Sequence, residues 1–208
     1  MLDLYFSPGS CALASHIALE EAGADYRAHR IDFAANEQQS LAFLKVNPKG
    51  RVPALATPMG ILTESPAMLV YIAQTHPAAG LAPMDDAFAF ARLQAVMSYL
   101  CSTLHVAHAH RQRGRRWADD DAALEAMRRK VPQSVGDAFA YLEDHAFEGP
   151  FVMGASYTVA DPYLFTMARW MEGDGVDPAR FPKIRAHREA MRARPAVRAA
   201  PRAEGLAE

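Results

Sequence analysis

Cys11 stands in the segment SPGSCALASHIALEEAG, residues 7–23, where a turn leads into a predicted helix. Four roles are open to its thiol: a small buried apolar group, a metal ligand, half of a disulfide, or a reactive nucleophile. The first turn of a helix offers free N–H groups and the positive end of the helix dipole, which stabilise a thiolate. We therefore predict a lowered thiol pKa. Ala14 occupies the second cysteine position of a C-x-x-C motif, so a mixed disulfide with an external thiol is expected instead of an internal one.

Two further sites could act with this thiol. Pro53 opens a strand after a Gly-Arg turn, where a cis bond is common, and a cis bond would turn the backbone of Val52 outward to pair with an extended peptide. The alternative is an ordinary edge-strand proline. Ser65 starts a predicted helix whose amides could hold a carboxylate, beside Glu64 for an ammonium; the alternative is a simple cap. Together these groups fit a small thiol peptide with an α-amino acid end.

The elements that must position these residues alternate between short strands and helices over the first 77 residues. The predicted order is βαβαββα, with the first two strands parallel and a closing antiparallel hairpin. The elements are strands at 2–6 and 26–31, helices from Ser10 to before Gly23 and at 36–46, a hairpin around 58–60, and a helix capped by Ser65 with Met68, Leu69 and Ile72 as its apolar stripe.

Beyond a Pro- and Gly-containing linker at 78–84, the pattern is helical. A long helix has apolar residues at Leu93, Val96, Met97, Leu100 and Leu104. A charged elbow follows at 111–121, later helices are predicted at 122–145 and 159–172, and a last helix is predicted near 183–194. The fold class is therefore an α/β domain over 1–77, joined by the linker to an all-helical domain over 85–208.

Three residues on the long helix suggest metal binding at first sight. Cys101, His105 and His108 are spaced i, i+4 and i+7, so they share one face. A single helix rarely supplies a closed coordination shell, and no further acidic or cysteine partner is evident, so we predict no metal. His105 is expected to be neutral near pH 7 and to bond a substrate or water. The alternative for His108 and His110 is a polar helix surface.

Composition narrows the function classes. Half of the 208 residues are hydrophobic, 22% are charged and the net charge is −2, which gives no field for nucleic acid or an acidic membrane. Two cysteines fit a reducing cytoplasm, and neither a signal peptide nor a transmembrane helix is expected. The Arg-rich end, 180–202, has no interleaved aromatic residues, so it is interpreted as a solvated face and not as a nucleic-acid patch.

Four segments, in order and spacing, resemble the cytosolic glutathione transferases: LYFSPGSC, NPKGRVPAL, LTES and YTVADPYLF. A cysteine at position 11 and a histidine at position 105 on the long helix resemble the pattern of the bacterial beta class. The similarity to the family covers nearly the whole chain. The resemblance implies a thioredoxin-like N-terminal domain with a mixed four-stranded sheet, an all-helical C-terminal domain and a homodimer in the cytoplasm. It also implies conjugation of glutathione, as co-substrate, to hydrophobic electrophiles, with a role in detoxification.

The resemblance assigns glutathione contacts to the N-terminal part. Cys11 would contact the glutathione sulfur and form a mixed disulfide with it. Val52, before Pro53, would pair with the cysteinyl backbone, while Glu64 and Ser65 would hold the γ-glutamyl end. Further candidate contacts with glutathione are Ser10, Asn36 and Ser98.

On the helical side, His105 would be catalytic, approaching the sulfur, and His108 and Trp170 would line the electrophile site. The chain departs from the beta class at three positions. Asn36 stands where that class commonly has a lysine, Ser98 where it has an asparagine, and Val106 where it often has a lysine. Fewer cations near the thiolate would weaken its stabilisation, so modest conjugation activity is expected.

Residues 158–161, Thr-Val-Ala-Asp, match the family's buried capping box. The Thr158 hydroxyl is predicted to accept from the Asp161 N–H, and the Asp161 carboxylate from the Thr158 N–H. We expect this box to serve folding, not catalysis.

The leading hypothesis is thus a glutathione transferase, in which bound glutathione attacks an electrophilic carbon. A second enzymatic hypothesis is a glutathione-dependent thiol–disulfide oxidoreductase, in which Cys11 itself turns over. A third is a non-catalytic protein that binds hydrophobic ligands between the domains, suggested by the Met-rich and aromatic helical half.

Overall fold

The N-terminal part is built on a four-stranded mixed sheet. The computed structural model describes residues 1–206. Its strands are β1 (Leu2–Phe6), β2 (Tyr26–Arg30), β3 (Ala54–Thr57) and β4 (Gly60–Thr63), in the order β2-β1-β3-β4. β1 and β2 are parallel, whereas β3 is antiparallel to both β1 and β4. The predicted βαβαββα order and strand directions are confirmed.

Three helices complete this part: α1 (Ala12–Glu21), α2 (Leu41–Val46) and α3 (Ser65–Thr75). The predicted helix at 36–46 is too long. Asn36 has a left-handed φ of 56°, and a separate 3-10 turn covers Glu37–Gln39. Ser40 is the N-cap residue of α2, and its Oγ accepts a hydrogen bond of 3.1 Å from the Phe43 N–H.

The rest of the chain is helical. It comprises α4 (Ala87–Tyr99), a π-helical turn (Leu100–Leu104), α5 (His105–Arg113), α6 (Asp121–Tyr141), α7 (Ala160–Ala168), α8 (Pro182–Arg192) and α9 (Pro195–Ala203). The long predicted helix is therefore α4 and α5 joined by the π turn. Leu93, Met97, Leu100 and Leu104 are buried along it, and Val96 is half-buried. No helix within residues 1–206 has both the length and the apolar character needed to cross a bilayer.

The prediction that the helices end near residue 194 is wrong, because α9 follows. Pro195 lies in the first turn of α9, where a missing N–H costs nothing. Val197 and Ala200 are buried against Leu13 and Ile17 of α1. The Arg-rich segment is thus solvated on one face only, and contact with α1 stabilises the other.

Helix α1 lies between the two parts of the chain, which explains why it is buried on all sides. Ala14 and Ala18 belong to the main core, together with Leu4 of β1. Leu13 and Ile17 instead contact Phe165 of α7. Because both parts pack on α1, the start of this helix is fixed at their junction.

Asp161 is the centre of a buried polar cluster at the start of α7. Its Oδ2 accepts from the Thr158 N–H at 2.7 Å, as predicted. The other half of the predicted capping box is wrong: the Thr158 hydroxyl accepts from the Ala160 N–H, and the Asp161 N–H donates to the Thr158 carbonyl. Oδ1 accepts from the Val152 N–H at 2.8 Å and lies 3.0 Å from His187 Nε2. Asp161 therefore joins α7 to α8 and to the preceding loop.

Candidate active site

A cleft of about 780 Å³ lies between the sheet and the long helix. Most of the residues that the sequence nominated line it: Ser10, Cys11, Val52, Pro53, Glu64, Ser65, His105, His108 and Trp170. Asn36 and Ser98 do not. Asn36 is exposed on the turn before α2, where its Oδ1 accepts from Gln38. Ser98 is exposed on α4, and the cleft begins one turn later, at Cys101 and Ser102.

The loop that carries Cys11 is held from both sides by the helical part. The Gly9 N–H donates to Glu204 Oε2 at 2.9 Å, and Trp170 Nε1 donates to the Gly9 carbonyl at 3.1 Å. Gly9 has a φ of 70°, a conformation that favours glycine. Glu204 is buried, and its Oε1 lies 3.0 Å from His16 Nδ1 on α1. These bonds fix Cys11 at the position that precedes α1.

The predicted lowering of the Cys11 pKa is wrong. Burial raises the pKa of the thiol to about 11, because the thiolate loses its hydration. The Ser65 hydroxyl and the backbone N–H of Cys11 itself act in the opposite direction, but with smaller effect. The Sγ lies 3.7 Å from the Val52 carbonyl oxygen, as a thiol donor would. At neutral pH, Cys11 is therefore a protonated thiol facing the cleft.

The sheet side of the cleft offers polar backbone. The Val52-Pro53 bond is cis, as predicted. Within residues 1–206 the Val52 N–H donates no hydrogen bond, so this edge can pair with an extended peptide.

Ser65 is not the cap residue of α3, contrary to the prediction. It is the first residue of the helix, and Glu64, with a φ of 72°, holds the cap position without a side-chain cap bond. The Glu64 carboxylate instead accepts from Lys49, whose Nζ also donates to the Thr63 hydroxyl at 2.7 Å. The first amides of α3 are thus not used by a side-chain cap, while the Ser65 side chain lies near Cys11.

His105, His108 and Trp170 form an aromatic cluster on the helical side. The Trp170 ring stacks on His108 at 4.1 Å and lies 5.4 Å from His105, both measured between ring centroids. His108 Nδ1 is 2.7 Å from Oδ2 of the buried Asp174, so His108 is not the free polar surface considered as an alternative. Within the described residues, no three His, Cys, Asp or Glu side chains form a metal-binding group.

Burial, and to a smaller extent the electrostatic effect of His108, Arg116 and Arg113, lowers the pKa of His105 to about 4. The imidazole is therefore neutral near pH 7, as predicted.

We expect the His105 ring to remain neutral until the pH falls to about 4. Since the unfolded state protonates this ring near pH 6.5, the folded state loses stability as the pH drops from 6.5 towards 4. Two-dimensional NMR of the imidazole, with the signal assigned by its loss in His105→Gln, measures the midpoint. A midpoint at or above pH 6 would contradict the burial of this ring.

The sequence prediction missed a set of cations. The cleft is lined by Lys49, Arg51, Arg111, Arg113 and Arg116. The expectation of fewer cations than in the beta class considered only Asn36, Ser98 and Val106, and the charged elbow was not recognised as part of the cleft. A signal was present: residues 105, 109, 113 and 116 follow i, i+4, i+8 and i+11, which is one continuous helix face.

Comparison with known proteins gives a consistent family. The glutathione S-transferase N-terminal domain model matches residues 2–74, and the C-terminal domain model matches residues 116–190. Glutathione S-transferase GstA of Escherichia coli O157:H7 is 31% identical over 208 residues, covering 99% of this chain and 100% of that protein.

Solved structures agree. A Sulfitobacter glutathione transferase homologue, crystallised with bound glutathione, superposes with a TM-score of 0.95 at 45% identity, covering 100% of this chain and 99% of the other. The beta-class glutathione S-transferase of Sphingomonas chungbukensis gives 0.86 at 37% identity, with coverages of 99% and 100%. With a thioredoxin-like N-terminal domain, a helical C-terminal domain and these matches, the chain belongs to the glutathione S-transferase family.

Proposed function

We propose that this protein is a glutathione transferase that joins the sulfur of bound glutathione to a hydrophobic electrophile. The observation that carries this proposal is the convergence, in one cleft, of a thiol, an open peptide-pairing edge and the start of α3. The aromatic cluster lies on the opposite wall.

Glutathione fits the sheet side in an extended conformation. The cysteinyl backbone would pair with the N–H of Val52, which donates no bond among the described residues, and with its C=O, which faces the Cys11 thiol. The γ-glutamyl carboxylate would bind the amides at the start of α3 and the Ser65 hydroxyl. The γ-glutamyl ammonium would bind the Glu64 carboxylate, which also accepts from Lys49. Glu64 is the only acidic residue among the described residues that line the cleft.

In the reaction, the glutathione sulfur attacks an electrophilic carbon. A carbon–sulfur bond forms, the leaving group departs with its electron pair, and the thiol proton goes to solvent. Cys11 is mainly protonated at neutral pH, so it serves as an S–H donor to the glutathione thiolate and not as the nucleophile. Neutral His105 supplies a hydrogen bond from the helical side.

The test compares Ser65→Ala with Ser134→Ala, a control at a half-buried residue of α6 whose hydroxyl bonds only its own helix. We expect Ser65→Ala to weaken glutathione binding by about tenfold, since a bond to a charged group is lost, and Ser134→Ala to leave it unchanged. Titration calorimetry measures the affinity, and turnover with 1-chloro-2,4-dinitrobenzene measures conjugation. A wild-type protein that binds no glutathione would refute the proposal.

We also propose that Cys11 exchanges with glutathione disulfide. The Cys11 thiolate would attack one sulfur, the S–S bond would break, and one glutathione would leave as thiolate and take a proton. A mixed disulfide between Cys11 and the other glutathione remains. This step uses the minor thiolate form, so it is slow at neutral pH.

For assembly we propose a homodimer in the cytoplasm, the reducing compartment where Cys11 and Cys101 would stay free thiols. Large apolar side chains are exposed on the hairpin and at the start of α4, notably Met59 at 92% and Phe88 at 76%. A second copy covering them would remove this surface from water. Sedimentation equilibrium measures the mass, and a monomer at micromolar concentration would refute the dimer.

A further inference from the structure

Three arginines in the cleft have no acidic partner in the part of the chain that the structure describes. Lys49 is paired with Glu64, and Arg111 Nη1 lies 3.5 Å from Asp174 Oδ1. Within residues 1–206, the three remaining cleft arginines form no ion pair; they are Arg51, Arg113 and Arg116, here called the guanidinium cluster. The other exposed arginine of the elbow, Arg115, pairs with Asp121 at 3.0 Å and does not line the cleft.

The cluster concentrates positive charge. Arg51 and Arg113 both lower the pKa of Arg116, after partial burial, so the three charges lie close enough to repel one another. The Arg113 guanidinium is also held over the Phe33 ring, 5.1 Å from its centroid. Like charges gathered around a cleft without a counter-charge destabilise the empty protein, and a bound anion relieves this.

The cluster faces the reacting sulfur from the helical side. Arg113 ends α5, the helix that begins at His105, Arg116 lies in the 3-10 turn that follows, and both line the cleft with Cys11. Their charges reach the Cys11 thiol and the His105 ring, where the second substrate must approach glutathione. A group bound there belongs to the molecule that meets the sulfur.

We propose that the guanidinium cluster is a carboxylate receptor, so that the preferred electrophiles of this enzyme are anionic: an apolar or aromatic body with a carboxylate. This inference rests on the proposed conjugation and names its substrate class. The aromatic body would lie against Trp170, and the carboxylate would be bound by Arg113 and Arg116, with Arg51 on the facing wall.

The test uses a matched pair of electrophiles, 4-chloro-3,5-dinitrobenzoate and its methyl ester. Both react by the same substitution, in which glutathione sulfur bonds to carbon and chloride leaves with the electron pair. The quantity compared is the ratio of kcat/KM for the acid to that for the ester, measured in wild type, in Arg113→Gln/Arg116→Gln and in the control Arg115→Gln. The intrinsic difference in reactivity between acid and ester cancels in this comparison.

We expect the double substitution to lower the acid-to-ester ratio by about 10- to 100-fold, as for loss of charged hydrogen bonds, and Arg115→Gln to leave it unchanged. High salt should lower the wild-type ratio as well. An unchanged ratio in the double variant overturns the inference while ester turnover upholds the conjugation itself. Failure of wild type to conjugate either compound refutes the proposed function instead.

A third measurement tests whether the guanidinium cluster instead binds the glycyl carboxylate of glutathione. The KM is measured for glutathione and for glutathione whose glycyl carboxylate is amidated, with the ester as electrophile. If the double substitution raises the KM only for the unmodified peptide and leaves the acid-to-ester ratio unchanged, the cluster binds glutathione and the inference is wrong. Equal effects on both peptides, together with the lowered ratio, support it.

Discussion

Substitution of Asp161 by alanine is expected to lower the free energy of unfolding by about 3–5 kcal/mol. This is a large share of the roughly 5–15 kcal/mol by which an ordinary domain is stable. Its two oxygens accept from the Val152 N–H, the Thr158 N–H and the Thr158 hydroxyl, and lie beside His187. All of these groups are buried, so none can turn to water when the carboxylate is removed. Urea denaturation followed by tryptophan fluorescence measures the loss.

Asp86 provides a matched control for this prediction. It is also an aspartate at a helix start, where its Oδ1 accepts 2.9 Å bonds from the Phe88 and Ala89 N–H groups, but it is exposed. Asp86→Ala should cost only about 1 kcal/mol, the usual value of an N-cap. Equal costs for the two substitutions would show that burial and the contact with α8 add nothing at Asp161.

Substitution of Cys11 by alanine is expected to abolish the glutathione mixed disulfide while conjugation continues. The reason is that the pKa of about 11 leaves Cys11 mainly protonated, so bound glutathione is the nucleophile for carbon. Only exchange with glutathione disulfide requires the Cys11 sulfur itself. Mass spectrometry of the protein after incubation with glutathione disulfide measures the adduct. A second spectrum, taken after reductant is added, measures its reversal.

The pH dependence of this adduct tests the raised pKa. The thiolate is the reactive form, and below its pKa the thiolate fraction rises about tenfold with each pH unit. The rate of adduct formation should therefore increase across pH 7 to 10 with no plateau before about pH 11. A plateau near pH 7 would mean that the helix start outweighs burial after all.

Cys101 is the matched control, since it lines the same cleft from the π turn. Cys101→Ala should retain the adduct. If the adduct persists in Cys11→Ala, or if conjugation disappears with Cys11, the roles assigned to the two thiols are wrong.

Local chemistry made much of the fold predictable. The turn residues Pro8-Gly9 lie between β1 and α1. Pro58-Met59 lie between β3 and β4, and Gly60, with its positive φ, is the first residue of β4. Helical periodicity placed α4 and α5 correctly, because their buried stripe is continuous across the π turn. The error at 36–46 arose because the left-handed Asn36 and the Ser40 cap split one polar segment into two elements.

The sequence by itself determined which residues could do chemistry: Cys11, Val52, Ser65 and His105 were chosen from local pattern, and the tertiary structure brings all four to one cleft. What the sequence could not determine depends on neighbours distant in the chain. Whether Cys11 is a thiolate is decided by the desolvation that several elements impose together. Whether α9 forms is decided by its contact with α1. The charge of the cleft is decided by where the end of α5 and the turn after it place Arg113 and Arg116, since a charge acts through space and not along the chain.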